Sequence, residues 1–114
     1  MTLDEIIRSL DLKVITEGQD FSTISPQGGY ASDLLSCVIA GAKNGDIWVT
    51  LQAHMNIVAV AALLDLSGVI ISEGAQPDPA TIAKANDQAV VLLSTSLPTY
   101  AVVGKLWEMG IKSR

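Results

Sequence analysis

The stretch Val69-Ile70-Ile71-Ser72-Glu73-Gly74 decides the fold, because it is an apolar run that stops abruptly at small and charged residues. Three other runs share this pattern: Val14-Ile15-Thr16, Ile47-Trp48-Val49-Thr50 and Val90-Val91-Leu92-Leu93. Their length and composition indicate short buried strands, and helical patterns separate most of them. Strands that alternate with helices form a mainly parallel sheet. We therefore predict one α/β domain over residues 1–114, a three-layer sandwich in which helices flank a mainly parallel sheet of about four to five strands.

Capping residues and helical periodicity place the remaining elements. We predict a short edge strand at Phe21–Ile24 and a sharp turn at Gly28-Gly29, since glycine tolerates backbone angles that other residues avoid. Ser32 is expected to cap a helix that ends in a left-handed turn at Asn44-Gly45. The other predicted helices are Leu3–Leu10 behind a Thr2–Glu5 capping box, 55–66, 80–88 behind an Asp78 cap, and a last helix between Pro98 and Gly110.

Composition and charge argue against several classes of protein. The formal net charge of the 114 residues is -5, whereas nucleic-acid binding and docking to anionic membranes both need clustered Lys and Arg. The longest apolar run, Ile57–Leu64, is far shorter than a membrane span, and the acidic N-terminus is unlike a signal peptide. We therefore expect a cytoplasmic protein with no nucleic-acid or membrane partner. Cys37, the only cysteine, is expected to be a buried structural thiol on an apolar helix face.

Polar side chains collect where the predicted strands end, and they form the candidate ligand-binding rim. Ligands of open parallel sheets bind at the carboxyl ends of the strands. Capping and turn formation are the alternative explanation for each of these residues. The candidates are Ser32, Asp33, Thr50, Gln52, His54, Asn56, Glu73, Gly74, Ser94 and Thr95.

Motifs that carry known chemistry are absent from the sequence. There is no GxxxxGK[ST] phosphate loop, no GxGxxG and no HExxH, and His54 is the only histidine. We predict no catalytic residues, no metal site and no cofactor. The alternative is a small hydrolase or transferase that uses Asp33, His54 and Glu73 with a metal or cofactor from outside.

The helix expected at residues 55–66 is apolar nearly all round, which indicates burial on both sides. Either it lies centrally in the domain or a partner subunit covers it. We expect a homodimer whose interface includes Ile57, Val60, Ala61 and Leu64.

Two segments together resemble the DRTGG domain family. They are Tyr30-Ala31-Ser32-Asp33-Leu34-Leu35-Ser36 and Thr50-Leu51-Gln52-Ala53-His54-Met55-Asn56, and the resemblance covers roughly residues 12–111. The family is similar to the N-terminal domain of HPr kinase/phosphorylase, and short stand-alone members look most like this chain. The string Asp-Arg-Thr-Gly-Gly itself is missing, because Asn56-Ile57 stands about where larger members carry Asp-Arg.

The resemblance implies an accessory module without established catalysis, such as those found beside CBS domains in some pyrophosphatases. We therefore expect a non-catalytic regulatory or sensory module, homodimeric, that binds a small anionic or nucleotide-like ligand or a protein partner at the rim. A pure assembly subunit without a ligand is the other alternative.

Overall fold

Five strands form one sheet in the order β1-β5-β4-β3-β2 in the computed structural model, which describes all residues 1–114. The four strands β2 to β5 are parallel, and β1 pairs antiparallel with β5. The predicted mainly parallel sheet is therefore confirmed. The strands are β1 (Lys13–Val14), β2 (Gly28–Ala31), β3 (Asp46–Thr50), β4 (Gly68–Ile71) and β5 (Leu92–Ser94).

Helices cover both faces of the sheet and complete the three layers. Helices α1 and α5 enclose one apolar core, and α2, α3 and α4 enclose the other. No helix here combines the length and the apolar character that crossing a bilayer requires. The helices are α1 (Leu3–Leu10), α2 (Leu35–Gly41), α3 (Asn56–Leu64), α4 (Pro79–Asp87) and α5 (Thr99–Glu108).

The central strands are apolar on both sides because successive side chains of a strand point to opposite faces. In β3, Ile47 and Val49 face the core under α1 and α5, whereas Trp48 faces the core under α2 and α3. All three are buried. This explains why the strands form continuous apolar runs in the sequence instead of alternating ones.

The second edge of the sheet differs from the prediction. Phe21–Thr23 is a turn of 3-10 helix, since the Asp20 side chain accepts the Ser22 N–H at 3.1 Å and so closes the turn. The Ser22 hydroxyl also donates to the Asp20 carboxylate, and the hydrogen bonds from the Ser22 hydroxyl and N–H together lower the pKa of Asp20. The edge strand is instead β2, which contains the Gly28-Gly29 pair where a sharp turn was predicted. Extended glycines suit this position because a Cβ on Gly28 would lie 2.7 Å from the Lys112 carbonyl oxygen.

Two other predictions about α2 are wrong. The helix ends at Gly41 with an extended Ala42, so Asn44-Gly45 forms the separate turn into β3 and does not cap α2. Cys37 is exposed. The short helix touches the core mainly through Val38, and the preceding position points about 100° away from that contact, toward solvent.

Candidate functional site

The ten predicted rim residues do follow the carboxyl ends of the strands. Ser32 and Asp33 come after β2, Thr50 ends β3, and Ser94 ends β5. Most of their polar atoms, however, bind neighbouring segments of the chain.

Asp33 joins the ends of β2 and β3. Its Oδ1 accepts the Thr50 hydroxyl and the Leu51 N–H, both at 2.8 Å. The Asp33 carbonyl accepts the Gln52 side-chain amide at 3.3 Å, and Thr50 Oγ1 accepts the Gln52 N–H at 3.1 Å. Ser32 does not cap α2 as predicted. Its hydroxyl accepts the Leu34 N–H one position before the helix. This part of the rim therefore holds two loops together.

Glu73 caps α5 from a different part of the chain. Its Oε2 accepts the Thr99 N–H at 2.7 Å, at the start of a helix whose own N-cap is Pro98. Thr99 also forms a 2.6 Å hydroxyl contact with the buried Ser72. Glu73 has a φ of +62°, a left-handed conformation that a non-glycine residue adopts at some cost. The tertiary cap accounts for Glu73 better than an open ligand site does.

Most of the other rim residues are buried or form local hydrogen bonds. Ser94 is buried, Thr95 Oγ1 accepts the Leu97 N–H, and the Thr95 carbonyl accepts the Gly74 N–H. His54 is exposed, and its Nδ1 accepts the Asn56 N–H at 3.2 Å.

The three residues of the enzyme alternative lie in separate networks. No hydrogen bond joins any two of Asp33, His54 and Glu73, because Asp33 binds β3, Glu73 binds α5 and His54 binds the start of α3. The structure also contains no group of three His, Cys, Asp or Glu side chains placed to hold a metal ion.

The expected dimer residues are covered within the chain itself. Ile57, Val60 and Ala61 are buried in the core under α2, α3 and α4, and Leu64 packs against it. Ile57, Val60 and Ala61 therefore expose little surface, Leu64 is half-buried, and α3 is the central helix of its layer. The side of α3 that faces solvent carries Ala59, Ala62 and Leu63 instead.

A cavity that the sequence did not point to lies beside the rim, between β2 and α5. We call it the β2–α5 groove. Its volume is about 250 Å³, and its floor is the sheet surface at Gly29, Ala31 and Val49. Tyr30 of β2 also lines the groove, and helix α5 and the segment after it supply the remaining walls: Val103, Leu106, Trp107, Ile111, Lys112 and Ser113.

Small side chains explain the groove. Gly29 and Ala31 are the β2 residues that face α5, and they leave the backbone of the edge strand bare. Trp107 stands at the wall with 48% of its surface exposed, and the Lys112 ammonium lies 5.7 Å from the centre of its ring. The small residues Gly28, Gly29 and Ala31 were the available signal in the sequence. Nothing in the sequence placed them opposite Trp107.

A second hollow, of about 340 Å³, lies at the amino-terminal ends of β3, β4 and β5. Polar groups predominate there, and Asn44 and Asp65 already bind each other at 3.1 Å. Neither cavity is lined by any of the ten predicted rim residues.

No protein-family model matches the chain, and no curated protein resembles it in sequence. Its structure does resemble a crystal structure of the CBS and DRTGG domains of the regulatory region of Clostridium perfringens pyrophosphatase, complexed with its activator, diadenosine tetraphosphate. The TM-score is 0.73, and the match covers 90% of this chain.

The chain has a DRTGG-like fold. The two sequences are 17% identical, so the likeness concerns the fold alone. The match takes in 44% of the pyrophosphatase chain, which means that this DRTGG-like chain spans less than half of that protein. The resemblance to HPr kinase stays a prediction.

Proposed function

We propose that this DRTGG-like chain is a regulatory module that binds a small nucleotide-like ligand in the β2–α5 groove. The groove itself is the observation that carries the proposal. Binding pockets are mostly apolar with a few polar groups that orient the ligand, and here seven of ten lining residues are hydrophobic. A volume of about 250 Å³ suits one flat ring system better than a whole dinucleotide.

The chemistry of the walls favours an aromatic group joined to an anion. A flat ring would lie on the bare backbone of Gly29 and Ala31, with the Trp107 indole at its edge. The Lys112 ammonium gives the groove one positive charge, because Lys112 is the one charged residue among those that line it. That local charge would attract phosphate despite the net charge of -5. The nucleotide activator of the structurally similar pyrophosphatase region agrees with this ligand class.

The rim remains a second proposed place for ligand contacts, since Ser32 and Thr50 directly follow Ala31 and Val49 of the groove. Gln52 and His54 separate the two locations experimentally. Alanine at either residue should leave binding in the groove unchanged, whereas it should abolish binding at the rim.

The test is a titration of the protein with ATP and with diadenosine tetraphosphate, followed by tryptophan fluorescence and calorimetry. We expect saturable binding that Trp107→Ala weakens by about tenfold or more, which corresponds to roughly 1.4 kcal/mol. Tyr100→Ala is the matched control, because Tyr100 lies on the same helix, is 92% exposed and does not line the groove. Absence of saturable binding, or equal effects of the two substitutions, would contradict the proposal.

Homodimerisation is the second proposed property, and exposed apolar residues on α2 and α3 favour it. These helices pack side by side on one face of the molecule. Leu34, just before α2, is 61% exposed, and Leu63 of α3 is 71% exposed. Ile39 and Cys37 are exposed between them along α2, which contains no charged residue. Several exposed apolar residues on one face favour an interaction site, and a twofold axis would allow the face to cover itself.

A further inference from the structure

The segment Ile111–Arg114, which follows α5, closes one side of the β2–α5 groove, and we call it the strap. It has neither helical nor strand structure. One backbone hydrogen bond, from the Gly29 N–H to the Lys112 carbonyl at 3.0 Å, ties it to the edge of the sheet. Ile111 anchors its start in the core under α1 and α5. The position of the strap beyond Ile111 therefore depends on a few side-chain contacts.

Arg114 supplies most of these contacts. Its Nε and Nη2 donate to Asp46 Oδ1 at 3.0 and 2.7 Å, and Nη2 also donates to the Asn44 carbonyl at 2.7 Å. Asp46 is only 2% exposed, and its other carboxylate oxygen accepts the Lys43 N–H at 2.9 Å. Lys43 in turn donates through Nζ to the Arg114 carbonyl at 3.2 Å. A buried carboxylate on β3 thus holds the strap through one guanidinium.

The close fit of the strap against β2 requires glycine. A Cβ on Gly28 would lie 2.7 Å from the Lys112 carbonyl oxygen and 2.9 Å from Arg114 Cγ. Backbone is the nearer obstacle, so a methyl group there would push the strap outward. Such movement would also carry Lys112 away from the Trp107 ring.

We propose that the strap is a latched lid of the β2–α5 groove, and that the Asp46–Arg114 pair is its latch. This proposal rests on the proposed ligand site and adds its regulation. Closed, the strap contributes Ile111, Lys112 and Ser113 to the wall. Open, it exposes the groove along the edge of β2. Asp46 and Arg114 are positioning residues, since neither lines the groove.

The first test needs no ligand and uses Arg114→Gln, which breaks the latch, and Gly28→Ala, which displaces the strap sterically. Both should speed hydrogen exchange of the Gly29 amide by about tenfold or more, because its only acceptor is on the strap. Both should also increase acrylamide quenching of Trp107. Emission of the fully buried Trp48, whose Nε1–H donates to the Ser32 carbonyl, verifies that the core is intact.

Arg8→Gln is the matched control, because Arg8 forms an Arg–Asp pair of similar length with Asp4, 2.6 Å, on a helix that does not line the groove. If Gly29 amide exchange and Trp107 quenching are unchanged in both strap variants, the proposal that the Asp46–Arg114 pair is a latch is overturned.

The second test measures the Kd for ATP in the same proteins. The strap variants should bind ATP about tenfold more weakly or worse, because a wall of the site is lost. Equal Kd values for ATP in wild type and both variants would overturn the proposal that the strap is a lid of the groove. If wild type binds no ATP while Gly29 exchange still responds to both substitutions, the latch stands and the failure belongs to the proposed function.

Discussion

Gly41, at the end of α2, shows how one missing side chain fixes the position of a neighbour. A Cβ on this glycine would lie 2.6 Å from Tyr30 Cε1 and 2.8 Å from Tyr30 Cζ. The Tyr30 ring therefore occupies the space above the helix and covers part of the core under α2. At Gly104 of α5, by contrast, a Cβ would meet no other atom within 4 Å.

This contrast gives a prediction with an internal control. Gly104→Ala gains helix propensity, about 0.8–1.0 kcal/mol in a helix interior, and Gly41→Ala gains no more than this because Gly41 is the last residue of α2. Only Gly41→Ala overpacks against Tyr30, which typically costs about 1–3 kcal/mol. In urea titrations we expect the free energy of unfolding of the Gly41 variant to be lower than that of the Gly104 variant by about the overpacking cost. Equal stability of the two variants would show that the Tyr30 ring moves aside freely.

Among the elements, α4 has a start that its own sequence encodes. Asp78 accepts the Thr81 N–H at 2.8 Å, and Pro79 occupies the first helical position. Hydrogen bonds from Thr81 hold the pKa of the Asp78 carboxyl below its ordinary value, and the charge of His54 acts in the same direction.

A lowered pKa in the folded state makes this cap a source of acid sensitivity. Its stabilisation is fully present above the unfolded-state pKa of about 3.9 and is lost as the pH falls through the lower folded-state value. We expect Asp78→Asn to flatten the decrease in unfolding free energy below about pH 4. Asp87→Asn, at the other end of α4, should keep the steeper wild-type dependence. Identical pH profiles for Asp78→Asn and wild type would contradict this account.

The elements also show how far the sequence predicts the fold. The runs at Ile47–Thr50 and Val69–Ser72 were recognisable because each strand is buried on both faces and needs no distant partner to be identified. β2 was missed because Gly28 and Gly29 have no strand propensity of their own. Their conformation is fixed by β3 on one side and the strap on the other, which are both distant in sequence.

The site was harder to predict than the elements for the same reason. The predicted rim residues follow the carboxyl ends of the strands, but the sequence did not indicate that Asp33 would bind Thr50 or that Glu73 would cap α5. These contacts cross between elements. The β2–α5 groove likewise arises from small residues on one element facing Trp107 on another.

At the scale of the whole molecule, the exposed apolar face of α2 and α3 predicts a dimer with twice the 12.0 kDa mass of one chain. Introducing charge by Ile39→Glu or Leu63→Glu should shift the protein toward monomer in sedimentation velocity experiments, because two like charges would meet across the twofold axis. Tyr100→Glu, on a highly exposed position of α5, should leave the mass unchanged. A monomeric wild type at all concentrations would refute the dimer.

The pairing of β1 has a consequence for the order in which the strands of the sheet pair during folding. Strands β2, β3 and β4 each pair with the strand that follows next in the sequence, so this part of the sheet forms from pairings of modest sequence separation. Thr16, just after β1, accepts the N–H of Leu92, a partner 76 positions later. Because this contact joins positions that are far apart in the sequence, its formation requires closure of a long loop, and we expect the β1–β5 pairing to form late in folding.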